Sequence, residues 1–204
     1  LLITIEGIDG SGKSSLIEGL KTEFSGHDVV YTREPGSTWI GEQVRRGIAE
    51  NIDPVAEALL FCADHAAHLS DVIRPSLKAN KIIISDRYTD SRFAYQAVTL
   101  KKILPEPMQW LKDVHEGWTI KPDRTFLLVL PVEEALIRLK KDRDKPEHFE
   151  CGNVLEEVLN NYLEIAEKDP ERFILIDALK EREEIIKFVA ACIRQMTHKQ
   201  KSGR

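Results

Sequence analysis

The stretch Gly7-Ile8-Asp9-Gly10-Ser11-Gly12-Lys13-Ser14-Ser15 follows the β-branched run Leu2-Ile3-Thr4-Ile5-Glu6 and opens a helix-patterned segment, Lys13 to Phe24. Strand, glycine-rich turn ending in Lys-Ser, then helix is the full context of a phosphate-binding loop. The glycines allow backbone N–H groups to turn inward around an anion. Lys13 adds a point charge for the β- and γ-oxygens of a nucleoside triphosphate, and the Ser14 hydroxyl can reach Mg²⁺. The flanking strand and helix separate this stretch from an ordinary Gly-rich turn, but the loop does not name a second substrate.

Working outward, apolar β-rich runs recur at Leu1 to Ile5, Val29 to Tyr31, Lys81 to Ser85, Arg124 to Leu130 and Arg172 to Ile176. Helix-patterned stretches separate them, which predicts an α/β fold with a mainly parallel sheet covered on both faces. The expected helices are Lys13 to Phe24, Gly41 to Glu50, Val55 to Lys78 with a bend at Pro75, Leu104 to Glu116, Val132 to Lys141, Val154 to Lys168 and Glu181 to Met196. Between the fifth and sixth of these, the charged, Pro- and Gly-punctuated stretch 142–153 reads as a mobile lid. Residues 1–196 are expected to form a single domain, and the polar, aperiodic 197–204 a frayed tail.

Composition narrows the function. The chain has 204 residues, 42% of them hydrophobic, and a formal net charge of −5 with both signs dispersed. No basic stripe of the kind that grips a nucleic-acid backbone is present, so small anions held locally are the expected ligands and nucleic acid is not. Cys62, Cys151 and Cys192 are odd in number and far apart, which fits neither a disulfide framework nor a zinc site and predicts a reducing, cytoplasmic setting. No apolar run approaches membrane-spanning length, and the first strand enters the loop too soon to leave room for a cleavable signal. His65 and His68 share a helical side, but without a third ligand they read as structural rather than as a metal site.

Two further clusters fall at the carboxyl ends of strands, where doubly wound sheets place ligands. Thr32-Arg33-Glu34-Pro35-Gly36-Ser37-Thr38, with Gly41 and Arg45 beyond it, follows the second strand. Asp86-Arg87-Tyr88-Thr89-Asp90-Ser91-Arg92-Phe93-Ala94-Tyr95-Gln96 follows the third. The phosphate loop, Arg-Glu-Pro-Gly, Leu-Leu-Phe, Asp-Arg-Tyr and Ala-Tyr-Gln, in this order and spacing, resemble the thymidylate kinase family of nucleoside monophosphate kinases over Leu1 to about Asp177. The resemblance implies a P-loop NTPase fold with five parallel strands. It also implies transfer of the γ-phosphoryl group of ATP to thymidine monophosphate with Mg²⁺, and a homodimer.

By that resemblance, Lys13 holds the donor phosphates, Arg87 bridges donor and acceptor, and Arg45 grips the acceptor phosphate. Asp86 is expected near Mg²⁺ or its waters, with Ser14 as direct ligand. Asp9, costly beside a triphosphate unless it has a partner, is placed on the sugar 3′-hydroxyl and the phosphate network; its alternative is an Asx turn shaping the loop. Glu34 is placed at the sugar side with Arg33 bracing, Tyr95 against the sugar, Phe61 under the base, and Gln96, one helical turn after Arg92, at the imide edge.

Three positions depart from the family pattern. Position 10 is Gly where some relatives carry an Arg that reaches the triphosphate, so a lid cation is expected to replace it. Arg143 is the first choice and Arg138 the second among Arg138, Lys140, Lys141, Arg143 and Lys145. Position 65 is His where an Arg is usual, and position 92, next to Ser91, is Arg where a small polar acceptor is usual. The favoured reading is relocation, with Arg92 supplying the donor that His65 lacks. The alternative is a base presenting acceptors, such as cytosine. A regulatory GTPase is disfavoured because Asp86 is followed by Arg-Tyr-Thr and Asn80-Lys81 by Ile-Ile. A catalytically silent nucleotide-binding paralogue stays open.

Overall fold

The computed structural model describes residues 1–142 and 152–202. Arg143, Lys145 and nearly all of the expected lid lie outside the described residues. The order of elements is β1 (Leu2–Glu6), α1 (Lys13–Glu23), β2 (Val29–Arg33), α2 (Trp39–Glu50), α3 (Pro54–His68), a π-helical turn (Leu69–Ile73), α4 (Arg74–Lys78), β3 (Ile82–Asp86), α5 (Thr89–Leu100), α6 (Pro107–His115), β4 (Arg124–Val129), α7 (Val132–Asp142), α8 (Gly152–Lys168), β5 (Phe173–Asp177) and α9 (Arg182–Ser202). All five strands are parallel, in the order β2-β3-β1-β4-β5.

β1 lies at the centre, and every one of its residues is buried. Successive side chains of a strand point to opposite faces, so helices must cover both. Ile3 and Ile5 join Leu16, Leu20, Phe126 and Leu128 in the largest apolar cluster. Thr4, polar at mid-sheet, meets Thr125 of β4 hydroxyl to hydroxyl at 2.8 Å. Helix α1 packs on α9, and α5 packs on α3, α6 and α8.

The expected helix Val55 to Lys78 is two helices joined by a wide turn, in which the Arg74 N–H bonds to the Leu69 carbonyl, i to i−5. Pro75 follows immediately. Its ring would crowd the carbonyl of residue 71 in a regular helix, and widening the preceding turn relieves that clash. Other boundaries move for capping reasons. Helix α2 starts at Trp39 because the Thr38 hydroxyl accepts from the Gly41 N–H, at 3.1 Å. Asp53 caps α3 through Val55 and Ala56, with Pro54 in the first turn, where its missing N–H costs nothing. Pro107, rather than Pro105, opens α6, and α9 continues to Ser202, past its expected end at Met196.

Candidate active site

Adjacent strands β1 and β3 send their outgoing chains in opposite directions, toward β2 and β4 respectively, and a crevice opens between their carboxyl ends. The loop leaving β1 is shaped by positive φ at Gly7, Gly10 and Gly12. Gly10 is also approached closely by α7: a Cβ there would sit 2.8 Å from the Ala135 carbonyl oxygen and 3.3 Å from Leu139. With φ at +79°, the position is closed to a side chain both conformationally and sterically. Gly10→Ala should therefore destabilise the fold by at least about 1–2 kcal/mol, read as a lower urea midpoint. An unchanged midpoint would show that α7 yields freely.

Lys13, buried in the first turn of α1, donates to the Gly7 and Ile8 carbonyls at 3.0 and 2.9 Å. From β3, Arg87 enters the same space with a left-handed backbone, φ +66°, which is costly for any residue with a Cβ and is held by the Arg87 N–H to Ile5 carbonyl bond, 3.0 Å, and by the Ser85 hydroxyl on the Arg87 carbonyl, 2.7 Å. Its guanidinium pairs with Asp9 at 2.5 Å, donates to Ser91 Oγ at 3.1 Å and lies over the Tyr95 ring at 4.9 Å. The Tyr95 hydroxyl donates to the other Asp9 oxygen at 2.9 Å.

Electrostatics follow from that packing. Burial would raise Asp9, but the Arg87 and Lys13 charges outweigh it and hold its carboxyl down at about 2. Burial, and then the Arg87 charge, lower Lys13 to about 8, against the pull of Asp9 and Asp86. Two cations that repel one another across a confined space form a receptor for further anionic charge.

Two clefts meet at this point. One, about 440 Å³, is walled by Gly10, Gly12, Lys13, Ser14, Ser15 and Asp86, with Arg138 and Lys141 from α7. The other, about 280 Å³, is walled by Glu34, Arg45, Phe61, Ser91, Arg92, Tyr95 and Gln96, among others. Asp9, Arg33 and Arg87 border both. The sequence-predicted donor and acceptor residues thus separate into two compartments with Arg87 at the seam, and Arg33, expected only as a brace, stands beside it. A third cleft shares Gly12, Ser15 and Arg138 with the first and reaches Ser11 and residues 178–182, beyond β5. The sequence reading missed that stretch, although its place after a strand end was a usable signal. Tyr162, whose hydroxyl lies 3.4 Å from Arg87, was missed as well; it sits on α8 among ordinary apolar residues.

Asp86 Oδ1 is buried and has no hydrogen-bond partner among the described residues, and the residues Asp86 and Ser14 both line the donor cleft. An orphaned carboxylate oxygen and a hydroxyl are hard donors of the type Mg²⁺ takes. These residues fit that ion.

His65 is the predicted site residue that the structure does not bring into the acceptor cleft. It sits behind it, and the missing third partner of His65 and His68 is Glu34. Glu34 Oε1 accepts from His65 Nδ1 at 2.8 Å and from His68 Nδ1 at 2.6 Å, while Oε2 takes Arg92. The outer ring nitrogens accept from Thr119 and Thr32 hydroxyls, each at 2.7 Å, so both rings carry their proton on Nδ1. Burial and then the Arg92 charge lower His65 to about 4, which keeps the ring neutral. Tetrahedral zinc ligands stand about 3.3 Å apart. The shorter spacings here, and a guanidinium that already balances the carboxylate, make this a neutral hydrogen-bonded cluster. Glu34 therefore borders the acceptor cleft with both oxygens committed to protein donors. Burial opposes its charge, but Arg92 and the His65 bond hold it well below the usual carboxylate range. Arg92, which lines the cleft, also donates through Nε to His115 at 3.0 Å, and its Nη2 is buried without a partner among the described residues.

The family model described as thymidylate kinase matches residues 5–189. The chain belongs to the thymidylate kinase family. Among its relatives, a probable thymidylate kinase of Methanoculleus marisnigri is 58% identical over 95% of this chain and 94% of its own length. Those of Methanocorpusculum labreanum, 54% identical over 96% and 98%, and Methanospirillum hungatei, 52% identical over the whole of both chains, are similar in extent. Membership makes the chain a nucleoside monophosphate kinase. No helix among the described residues is long and apolar enough to cross a membrane.

Proposed function

We propose that the chain transfers the γ-phosphoryl group of ATP to the 5′-phosphate of deoxythymidine monophosphate. The observation that carries this reading is Arg87, which borders both clefts and is held there by Asp9. Phosphoryl transfer asks for positioning and charge stabilisation more than for covalent chemistry. Lys13 takes the donor phosphates, Arg45 the acceptor phosphate, and Arg87 the charge that develops between them. Ser14 and Asp86 would hold Mg²⁺, which would screen the repulsion between the two anions. Tyr95, tied to Asp9, occupies the sugar level. Phe61 stacks on the base, and Gln96 and Arg92 meet its polar edge. The protein acts as a homodimer in the cytoplasm, and sedimentation at micromolar concentration tests the assembly.

A coupled assay of ADP release with ATP, Mg²⁺ and each deoxy- and ribonucleoside monophosphate tests the reaction. Turnover strongest with deoxythymidine monophosphate is expected. ATP binding without transfer to any pyrimidine monophosphate would make the chain a silent nucleotide-binding paralogue.

Gly10 leaves the loop one cation short, and the expected substitute, Arg143, lies outside the described residues. Arg143→Ala should lower kcat more than it raises the KM for the monophosphate. If that variant is fully active and Arg138→Ala is not, the role belongs to Arg138, which already borders the donor cleft.

A further inference from the structure

Strand β2 ends on a cation that the proposed reaction leaves idle, Arg33. Its neighbours on either side fix where it points. The Thr32 hydroxyl bonds to His68 Nε2 at 2.7 Å and Glu34 accepts from His68 Nδ1 at 2.6 Å, so these two alternate residues share the side of the sheet that carries α3. Successive residues of a strand face opposite ways, which puts Tyr31 and Arg33 on the other side. The Tyr31 hydroxyl marks that side by donating to the Leu20 carbonyl of α1, at 2.9 Å. Arg33 stands two residues nearer the carboxyl end of the sheet, where α1 begins with Lys13 and Ser14. A cleft of about 360 Å³ that Ser14, Tyr31 and Asp86 also line confirms the placement. The backbone there is held firmly: Arg33 pairs with Asp86 of β3, and Glu34 donates its N–H to the Asp86 carbonyl at 3.0 Å while His65, His68 and Arg92 grip its carboxylate.

Among the described residues, Asp9, Arg33 and Arg87 line both the donor and the acceptor cleft. Asp9 and Arg87 form an ion pair at 2.5 Å, and together they carry no net charge. Arg33 is exposed, and its side chain has neither a hydrogen bond nor an ion pair with any described residue. The remaining cations are one-sided. Lys13, Arg138 and Lys141 line the donor cleft, and Arg45 and Arg92 the acceptor cleft. Transfer carries negative charge from one compartment to the other, so the cation that gains most in the transition state reaches both and is not neutralised beforehand. We infer that Arg33 is a catalytic residue of the transfer: its guanidinium meets the phosphoryl group between the clefts and supplies the net positive charge that the Arg87–Asp9 pair lacks. The inference rests on reading the clefts as the donor and acceptor sites of one kinase.

The test compares wild type with Arg33→Met, which keeps a long stem without the charge, and Arg33→Lys, which keeps the charge. Each is assayed with ATP, Mg²⁺ and the monophosphate that wild type turns over fastest. Arg33→Met should lose roughly 10- to 100-fold in kcat, with much smaller changes in either KM. Arg33→Lys should retain part of what Arg33→Met loses. Urea midpoints of both should match wild type, because the side chain is exposed and holds no partner in place. ADP with aluminium fluoride and the monophosphate mimics the group in transfer, and Arg33→Met should weaken its binding by about the factor lost in kcat. ADP alone and the monophosphate alone should bind nearly as in wild type. A kcat close to that of wild type overturns the inference, as does a loss confined to one KM, or a loss that comes with a lower midpoint in both variants, which is what a loop brace would show. In each of those cases wild type still turns over and the kinase reading stands. A wild type inactive with every monophosphate overturns both.

Discussion

Arg87→Ala is expected to reduce kcat by about 10²–10³-fold, with a smaller change in either KM, because it removes charge stabilisation that is needed more in the transition state than in the ground state. Lys13→Ala should fall in the same range. The two effects should be less than additive, since both cations face the same transferred group. Arg87 is not a free surface side chain: it anchors Asp9 at 2.5 Å and bonds Ser91, so truncation also frees an acid that burial then pushes up. Arg87→Gly is the cleaner comparison, because glycine accepts the local φ of +66° without strain. Single-turnover rates at saturating substrates separate chemistry from binding. Near wild-type turnover in either Arg87 variant would show that the seam between the clefts is not where transfer occurs.

Arg92→Ser should produce the second large effect, and mainly on stability. It removes the guanidinium that balances the buried Glu34 carboxylate, a loss of about 3–5 kcal/mol, or a Tm lower by roughly 10 °C. Affinity for deoxythymidine monophosphate should weaken as well, by roughly 1–3 kcal/mol if Arg92 meets the base. His65→Arg in the same protein should recover much of both. Nδ1 of His65 already lies 2.8 Å from Glu34, so a guanidinium grown from α3 arrives at the same carboxylate that Arg92 reaches from α5. A guanidinium at either position would neutralise Glu34, from α3 or from α5. A Tm unchanged in Arg92→Ser would refute the structural role. Better activity on the thymine substrate, together with poorer activity on a cytosine one, would refute the acceptor assignment.

What could be read from the chain and what could not differ in range. The loop 7–15 was legible because its function is local: glycine, lysine and serine act within nine consecutive residues. The strand runs were legible because central parallel strands are buried on both faces and become unbroken apolar stretches. The Glu34 cluster was not legible, since its carboxylate, two imidazoles and guanidinium come from a loop and two helices and meet only after α3 packs on α5. His65 was therefore read as a cleft residue when it is a support behind one. Nor does any residue type announce the positive φ of Arg87, where glycine would be the local preference and the side chain is retained against it. The π-helical turn was announced only by Pro75, whose presence marks an interruption but not its form.

The contact between Gly10 and α7 bears on how such enzymes can diverge. A loop-borne cation needs a side chain at position 10, and here that volume belongs to the backbone of Ala135, on α7. The two ways of supplying the missing charge are therefore mutually exclusive. Adding the arginine while α7 stays seated strains the fold, and retracting α7 first withdraws Arg138 from the donor cleft before any replacement exists. Exchange between the two arrangements requires concerted change at two distant sequence positions, so single substitutions explore one arrangement at a time and intermediates are penalised on both sides.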